Sequence, residues 1–208
     1  MKRVLGILVL TVLVCTMSTT AFSKKTKVIE KTFERVESLE IETVLGDCTI
    51  KKGSGNSIEI RVEYTYDDDN FEVRFKERNG TLLVEEDLDG ENVKGESRWL
   101  IVVPEGIEIE FESATGELKA SGLSGELEAN SGTGSMVISD FKGELDVNSG
   151  TGDVTLSDAD GEFKPNSGTG DVTVMNASGS IDANSGTGNV EIAKSKGDFD
   201  VNSGTGNV

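Results

Sequence analysis

Histidine is absent from the 208 residues, and cysteine and proline occur only twice each. With no imidazole there is no His general base, no Ser/His or Cys/His dyad and no His-ligated metal; two thiols cannot build a thiolate zinc or iron–sulfur site. Aromatics are scarce too, 5% of the chain, which argues against one bulky core and for many thin layers. Bases are outnumbered, 20 Lys and Arg against 38 Asp and Glu, for a formal charge of -18. A surface so acidic excludes nucleic acid, whose binding needs cations to neutralise phosphates.

The N-terminus reads as a secretory leader: Lys2 and Arg3, an apolar run from Val4 to Val14, then Ala21 and Ser23 in an A-x-S pattern. Cleavage is expected after Ser23. The run is short for a membrane span, which takes about 20 residues. Cys15 follows Val12, Leu13 and Val14, without the Gly, Ala or Ser expected just before a lipidated cysteine. Removing residues 1–23 leaves 18 bases, 38 acids and one cysteine, Cys48, so the exported chain carries a net charge of -20 and no internal disulfide. Its stability must come from backbone ladders and core.

Twenty-five glycines are the positive signal. Asn-Ser-Gly-Thr-Gly begins at Asn130, Asn148, Asn166, Asn184 and Asn202, always 18 residues apart, and a degenerate copy begins at Glu112. A fixed period near 20 residues marks stacked units that cannot bury an apolar face alone. Each period splits into two halves in which a glycine precedes apolar residues in alternation, the pattern of a turn followed by a strand. Four inward columns follow: Leu118, Met136, Val154, Val172, Val190, Val208; Ala120, Ile138, Leu156, Val174, Ile192; Leu127, Leu145, Phe163, Ile181, Phe199; and Ala129, Val147, Pro165, Ala183, Val201. The predicted fold is all-β, a single-stranded parallel β-solenoid of 18-residue coils. A helix would be interrupted by glycine every two turns, and a phosphate loop would lead into a lysine and a helix, which no glycine here does.

The pattern recurs earlier. Leu39 and Ile41 align with Leu145 and Val147, Cys48 and Ile50 with Val154 and Leu156, and, after one inserted residue, Ile58 and Ile60 with Phe163 and Pro165. Ile58 to Tyr66, a hairpin of Phe71 to Lys76 and Thr81 to Glu85 across Asn79-Gly80, and Trp99 to Val103 read as irregular N-terminal layers covering the first regular coil. The expected organisation is a leader over 1–23, N-terminal layers and cap over 24–106, and regular repeats over 107–208. The sequence stops at Val208 in mid-coil, as expected of a truncated sequence or of an end covered by another molecule.

Candidate sites follow from the columns. The asparagines should form an amide ladder. Ser131, Ser149 and Ser167 alternate with Thr133, Thr151 and Thr169; a shared flat face would order water, whereas a corner at this phase break is the plainer expectation. Glu126, Glu144, Glu162 and Asp198 share a column, as do Asp153 and Asp171, inviting calcium or, at about 5 Å, a retaining-glycosidase pair. Yet the calcium nonapeptide pattern does not fit, and a catalytic pair should break the repeat. Cys48 is expected to be a buried hydrophobe rather than a reactive thiol. The expected catalytic, cofactor and metal residues are therefore none.

The Ser-Gly-Thr-Gly-Asp-Val-Thr repeats, the Val103-Pro104-Glu105-Gly106-Ile107 lead-in and the Leu39 to Ile50 opening resemble the toast-rack family of bacterial envelope proteins, also described as candidate adhesins, across nearly the whole exported chain. The resemblance implies an exported β-solenoid, at times tied to surface attachment or envelope-stress systems, and brings no catalytic residues. The expected function is a non-enzymatic envelope protein, periplasmic, cell-surface or extracellular, whose acidic surface attracts a cationic partner. The alternatives are a stress-signalling or self-assembling component, associating through its C-terminal coil, and a carbohydrate-acting enzyme.

Overall fold

A computed structural model describes residues 25–90 and 93–208, which form sixteen strands and no helix. The leader expected over 1–23, with Cys15, lies outside the described residues. The 18-residue spacing acts as predicted, each strand lying parallel on its counterpart one period away. Thus β10 (Ser124–Thr133) pairs with β11 (Met136–Thr151) as Leu127 with Leu145, and β11 with β12 (Val154–Thr169) as Met136 with Val154 and Leu145 with Phe163.

Each coil has two sides. On the first stand β9 (Leu118–Ser121), the leading halves of β11 and β12, β13 (Val172–Met175) and β15 (Val190–Ala193). On the second stand β8 (Glu108–Thr115), β10, the trailing halves of β11 and β12, β14 (Ser178–Thr187) and β16 (Lys196–Thr205). Alternation sends the four predicted columns inward: Val154, Val172, Phe163 and Ala183 are all buried. The exceptions lie at the C-terminal end: Phe199 on β16 is 44% exposed, and Val208, beyond the last strand, is 76% exposed.

Two inward columns were not foreseen. Between the sides the chain passes a left-handed residue, Gly122 (φ 69), Asp140 (φ 51), Asp158 (φ 55), Asn176 (φ 53) or Lys194 (φ 55), a conformation that, after glycine, asparagine and aspartate tolerate better than most. This turns Leu123, Phe141, Ala159 and Ala177 inward as a buried corner file. Ser131, Ser149, Ser167 and Ser185 form the other. The hydroxyls of Ser149, Ser167 and Ser185 donate to the carbonyls of Gly134, Gly152 and Gly170, 2.8–2.9 Å away in the preceding coil.

The N-terminal half is threaded less simply. β2 (Ser38–Leu45) and β3 (Asp47–Lys52) form a coil of the regular kind, Leu39 on Ile109 and Cys48 on Leu118, directly against the array. Beyond it lie β6 (Thr81–Leu88), parallel to β2, and β7 (Ser97–Val103), parallel to β3. The chain therefore builds an outer layer and returns past β2 and β3 before starting the repeats. β4 (Ser57–Tyr64) is antiparallel to β7, β1 (Lys27–Glu34) antiparallel to β4, and β5 (Phe71–Arg78) antiparallel to β6 across Asn79 (φ 53) and Gly80 (φ 88). Rings bind this layer together: Phe71 stacks between Tyr64 (4.4 Å) and Tyr66 (5.1 Å).

The alignment of Ile58 and Ile60 with Phe163 and Pro165 is corrected by this topology. Ile60 pairs with Ile101 on the first side, antiparallel. The Gly53-Ser54-Gly55-Asn56 segment reverses the strand instead of carrying it round a coil corner.

Candidate interaction surface

Outward residues on the second side also form columns. One runs Glu108, Glu126, Glu144, Glu162, Ser180, Asp198; the next runs Glu40, Glu110, Glu128, Asp146, Lys164, Asp182, Asp200; the third begins Glu42, Glu112 and continues in asparagine. From β2 to β16 these three columns present thirteen carboxylates and one ammonium, Lys164, while the flanking column of Ser124, Lys142, Asp160, Ser178 and Lys196 adds two ammoniums and one carboxylate. Neighbours stand about 4.8 Å apart across strands and about 7 Å along them. The consequence is visible at Glu110: burial first, then the charges of Glu40, Glu128, Glu112 and Glu42, push its carboxyl above the usual range. The first side is different. Its central outward residues are Val137, Thr155 and Thr173 beside Ser139, Ser157 and Met175, all uncharged. Charge is thus segregated by side, because acids occupy one phase of a period-two pattern.

The asparagine ladder borders the acidic columns. Nδ2 of Asn148, Asn166, Asn184 and Asn202 donates to Oδ1 of the asparagine one coil back at 3.0–3.2 Å. Asn148 Nδ2 also donates to Asp146 at 2.8 Å and Asn184 Nδ2 to Asp182 at 2.7 Å, which orients those carboxylates along the surface.

Asp153 and Asp171 are neighbours, as expected, but their oxygens are engaged. Asp153 Oδ1 accepts from the Asp171 amide at 2.8 Å, and Asp171 Oδ1 from the Asn189 amide at 2.6 Å. Asp47 does the same for the Glu117 amide at 3.1 Å. The column hydrogen-bonds corner amides of the neighbouring coil. Among the described residues no three His, Cys, Asp or Glu side chains converge on a point where an ion could sit. A Ser-x-Thr surface does not form either: the serines point inward to the corner carbonyls while Thr133, Thr151 and Thr169 are exposed.

Two polar residues beside the N-terminal layer bear on stability. Cys48 is 1% exposed in the first-side column, and burial, then the Glu86 charge, pushes its thiol far up, so it stays protonated and unreactive. Glu86 was not singled out from the sequence, although it stands after Leu82 and Val84 where alternation demands an apolar residue. It is buried, at one end of an open hollow of about 670 Å³ bordered by Glu112, Asn130 and Gly132. Its Oε2 accepts from the amides of Val44 (2.7 Å) and Leu45 (2.9 Å), which the β6 backbone no longer reaches, and Ser97 Oγ lies 2.9 Å from Oε1. Burial raises its pKa and these hydrogen bonds partly offset the rise.

A raised carboxyl favours folding below the ordinary carboxylate range and loses that contribution as pH climbs through the shifted value. Glu86→Gln keeps an acceptor for the two amides without the buried charge, so wild type should lose stability relative to Glu86→Gln between pH 4 and 7 in urea melts; a gain would refute the direction. Glu86→Ala strands both amides and should cost about 2–4 kcal/mol.

The Toastrack DUF4097 family profile matches residues 36–208. Similar solved structures include a candidate adhesin from Bacteroides fragilis, 16% identical, aligned over 88% of this chain and 97% of that one with a TM-score of 0.49. A candidate cell adhesion protein from Clostridium sporogenes is 15% identical over 88% and 100% of the two chains, TM-score 0.43. A candidate lipid binding protein from Parabacteroides distasonis is 14% identical over 88% and 96%, TM-score 0.41. No curated protein matches the sequence. With its repeats, its lead-in and its opening coil all inside the matched span, the chain belongs to the Toastrack DUF4097 family.

Proposed function

We propose that this is an exported, non-enzymatic protein of a bacterial envelope, and that the acidic second side of its solenoid binds a cationic partner such as a basic peptide or surface. The observation that carries the reading is the segregation of charge, thirteen carboxylates with one ammonium in three adjoining columns of one side and an uncharged central strip on the other. Such a field steers and holds cations without a shaped pocket. Export is supported by the leader-like start, and the absence of catalysis by the uniformity of the array: the Asp153 and Asp171 oxygens hold backbone amides, and no carboxylate there is singular. Binding to an oligolysine-coated surface should weaken at least about tenfold as salt rises from about 50 to about 300 mM. Glu110→Gln/Glu126→Gln/Glu144→Gln should weaken it several-fold at low salt with a melt no lower than that of wild type. Salt-independent binding, or a triple variant that binds like wild type, would end this reading.

A second reading is a self-assembling component. Phe199 is 44% exposed on β16, whose outer edge pairs with no strand among the described residues. Exposed edges of this kind accept another strand.

A further inference from the structure

The inward file that runs Thr43, Ser113, Ser131, Ser149 breaks the repeat at one place. From Ser149 through Ser203, every serine of the file donates to a glycine carbonyl of the preceding coil at 2.7–2.9 Å. The same spacing would give Ser131 the Gly116 carbonyl, and Ser113 that of Gly46, which lies against Gly116. Neither bond forms. Among the described residues, Ser113 Oγ and Ser131 Oγ are the two buried side-chain polar atoms without a hydrogen-bond partner, in residues 8% and 7% exposed. Buried polar groups are nearly always paired, so two orphans in adjacent coils call for a partner from outside the chain.

Both serines line the hollow of about 670 Å³ that has Glu86 at one end. The exposed residues Glu42 and Glu112 border it too, register neighbours on β2 and β8 and so about 4.8 Å apart by strand spacing. Among the described residues, no lysine or arginine borders the hollow. Its apolar surface comes from Val44, 38% exposed, and Ala114. Paired acids, bare methyl groups and unpaired hydroxyls together fit a group with an aliphatic stem and a cationic, hydrogen-bond-donating head. An anion would be repelled, and a neutral ligand would desolvate the carboxylates without offsetting their charge. Water alone would satisfy the two hydroxyls but give the carboxylate pair no counter-charge and Val44 no cover.

We infer that the hollow anchors one lysine or arginine side chain of a basic partner. Its stem lies on Val44 and Ala114, and its head is taken up by the Glu42 and Glu112 carboxylates and the Ser113 and Ser131 hydroxyls. This rests on the cationic-partner reading and adds a fixed anchor to a field that needs none.

Backbone amide shifts of the purified protein test this, with N-acetyl-lysinamide and N-acetyl-argininamide titrated separately. At least one should give saturable shifts centred on Val44, Ser113, Ala114, Ser131 and Gly132. N-acetyl-norleucinamide, a stem without the charge, should bind at least about tenfold more weakly. Ser113→Ala/Ser131→Ala should weaken binding at least about threefold with a melt no lower than that of wild type, because hydroxyls that pair with nothing in the free protein do not hold it together. Glu112→Gln, at an exposed position, should weaken binding at least as much, and Glu144→Gln, two coils away on the same side, by less than about twofold. Shifts spread evenly from β8 to β16, equal binding of norleucinamide, or a double serine variant that binds like wild type or melts early would overturn the anchor. The oligolysine surface reports separately. If it binds in a salt-dependent way while the hollow never saturates, the anchor fails and the cationic-partner reading stands; if it does not bind at all, that reading itself fails.

Discussion

Val172→Asp will unfold the C-terminal coils. Val172 is 0% exposed, with Val154 on one side of it and Val190 on the other. A carboxylate there has no amide to accept from and no cation in the column, so it must stay charged without a partner or take up a proton. Either outcome, added to the lost methyl packing, costs about 3–5 kcal/mol or more, a large part of the 5–15 kcal/mol that holds a domain together. Stacked coils contact only their neighbours, so the damage should be directional. Hydrogen exchange should find protection lost from Val172 to Thr205 and retained from Ser38 to Thr133. An unchanged melt would mean that the column does not point inward.

The columns were legible in the sequence because each repeat is an independent record of the same geometry. A valine at 154 alone says little; valine at 154, 172 and 190 with glycine at a constant offset specifies which side of the strand is buried. The acidic files at Glu126, Glu144 and Glu162 were legible for the same reason. What could not be read was whatever depends on contacts remote in sequence. β8 returns to lie on β2, some 70 residues away, because Ile109 and Phe111 fit Leu39 and Ile41, and nothing local announces it. Ser149 looks like a surface residue until the carbonyl of Gly134 is known to lie 2.9 Å from its hydroxyl. Asp153 resembles a ligand or a catalyst for as long as the Asp171 amide at 2.8 Å is out of view. The candidate surface was thus readable as charge, and the part played by Asp153 and Asp171 became readable only when their carboxylates acquired partners.

Charge segregation also costs stability, since like charges in adjacent coils repel, and the array counters this from beneath. The asparagine ladder and, from Ser149 onward, the inward serines add hydrogen bonds coil by coil without adding charge, and both run parallel to the acidic columns. Salt should therefore act in opposite directions on the two properties of the protein. It should raise the melting temperature by screening repulsion while weakening attachment to a cationic surface.

Gly161→Ala should be as damaging as a buried charge although it adds one methyl group. Gly161 has φ 151, a conformation that side-chain-bearing residues rarely adopt, and a Cβ there would lie 1.9 Å from the Gly143 carbonyl oxygen of the preceding coil. Neither problem can be relieved alone, because shifting the backbone to make room breaks the register with the coils on both sides. Strain of about 1–3 kcal/mol and the steric overlap together should cost at least about 3 kcal/mol. Asp158, three residues earlier, separates the two causes. It too has positive φ, 55, but in the left-handed region, where glycine is more comfortable than aspartate. Asp158→Gly removes an acceptor for Asn176 Nδ2 at 3.1 Å, relieves backbone strain, and should stay within about 1 kcal/mol of wild type. Thermal melts of the pair decide the matter: if the two variants melt together, close approach between coils is not what fixes glycine at 161.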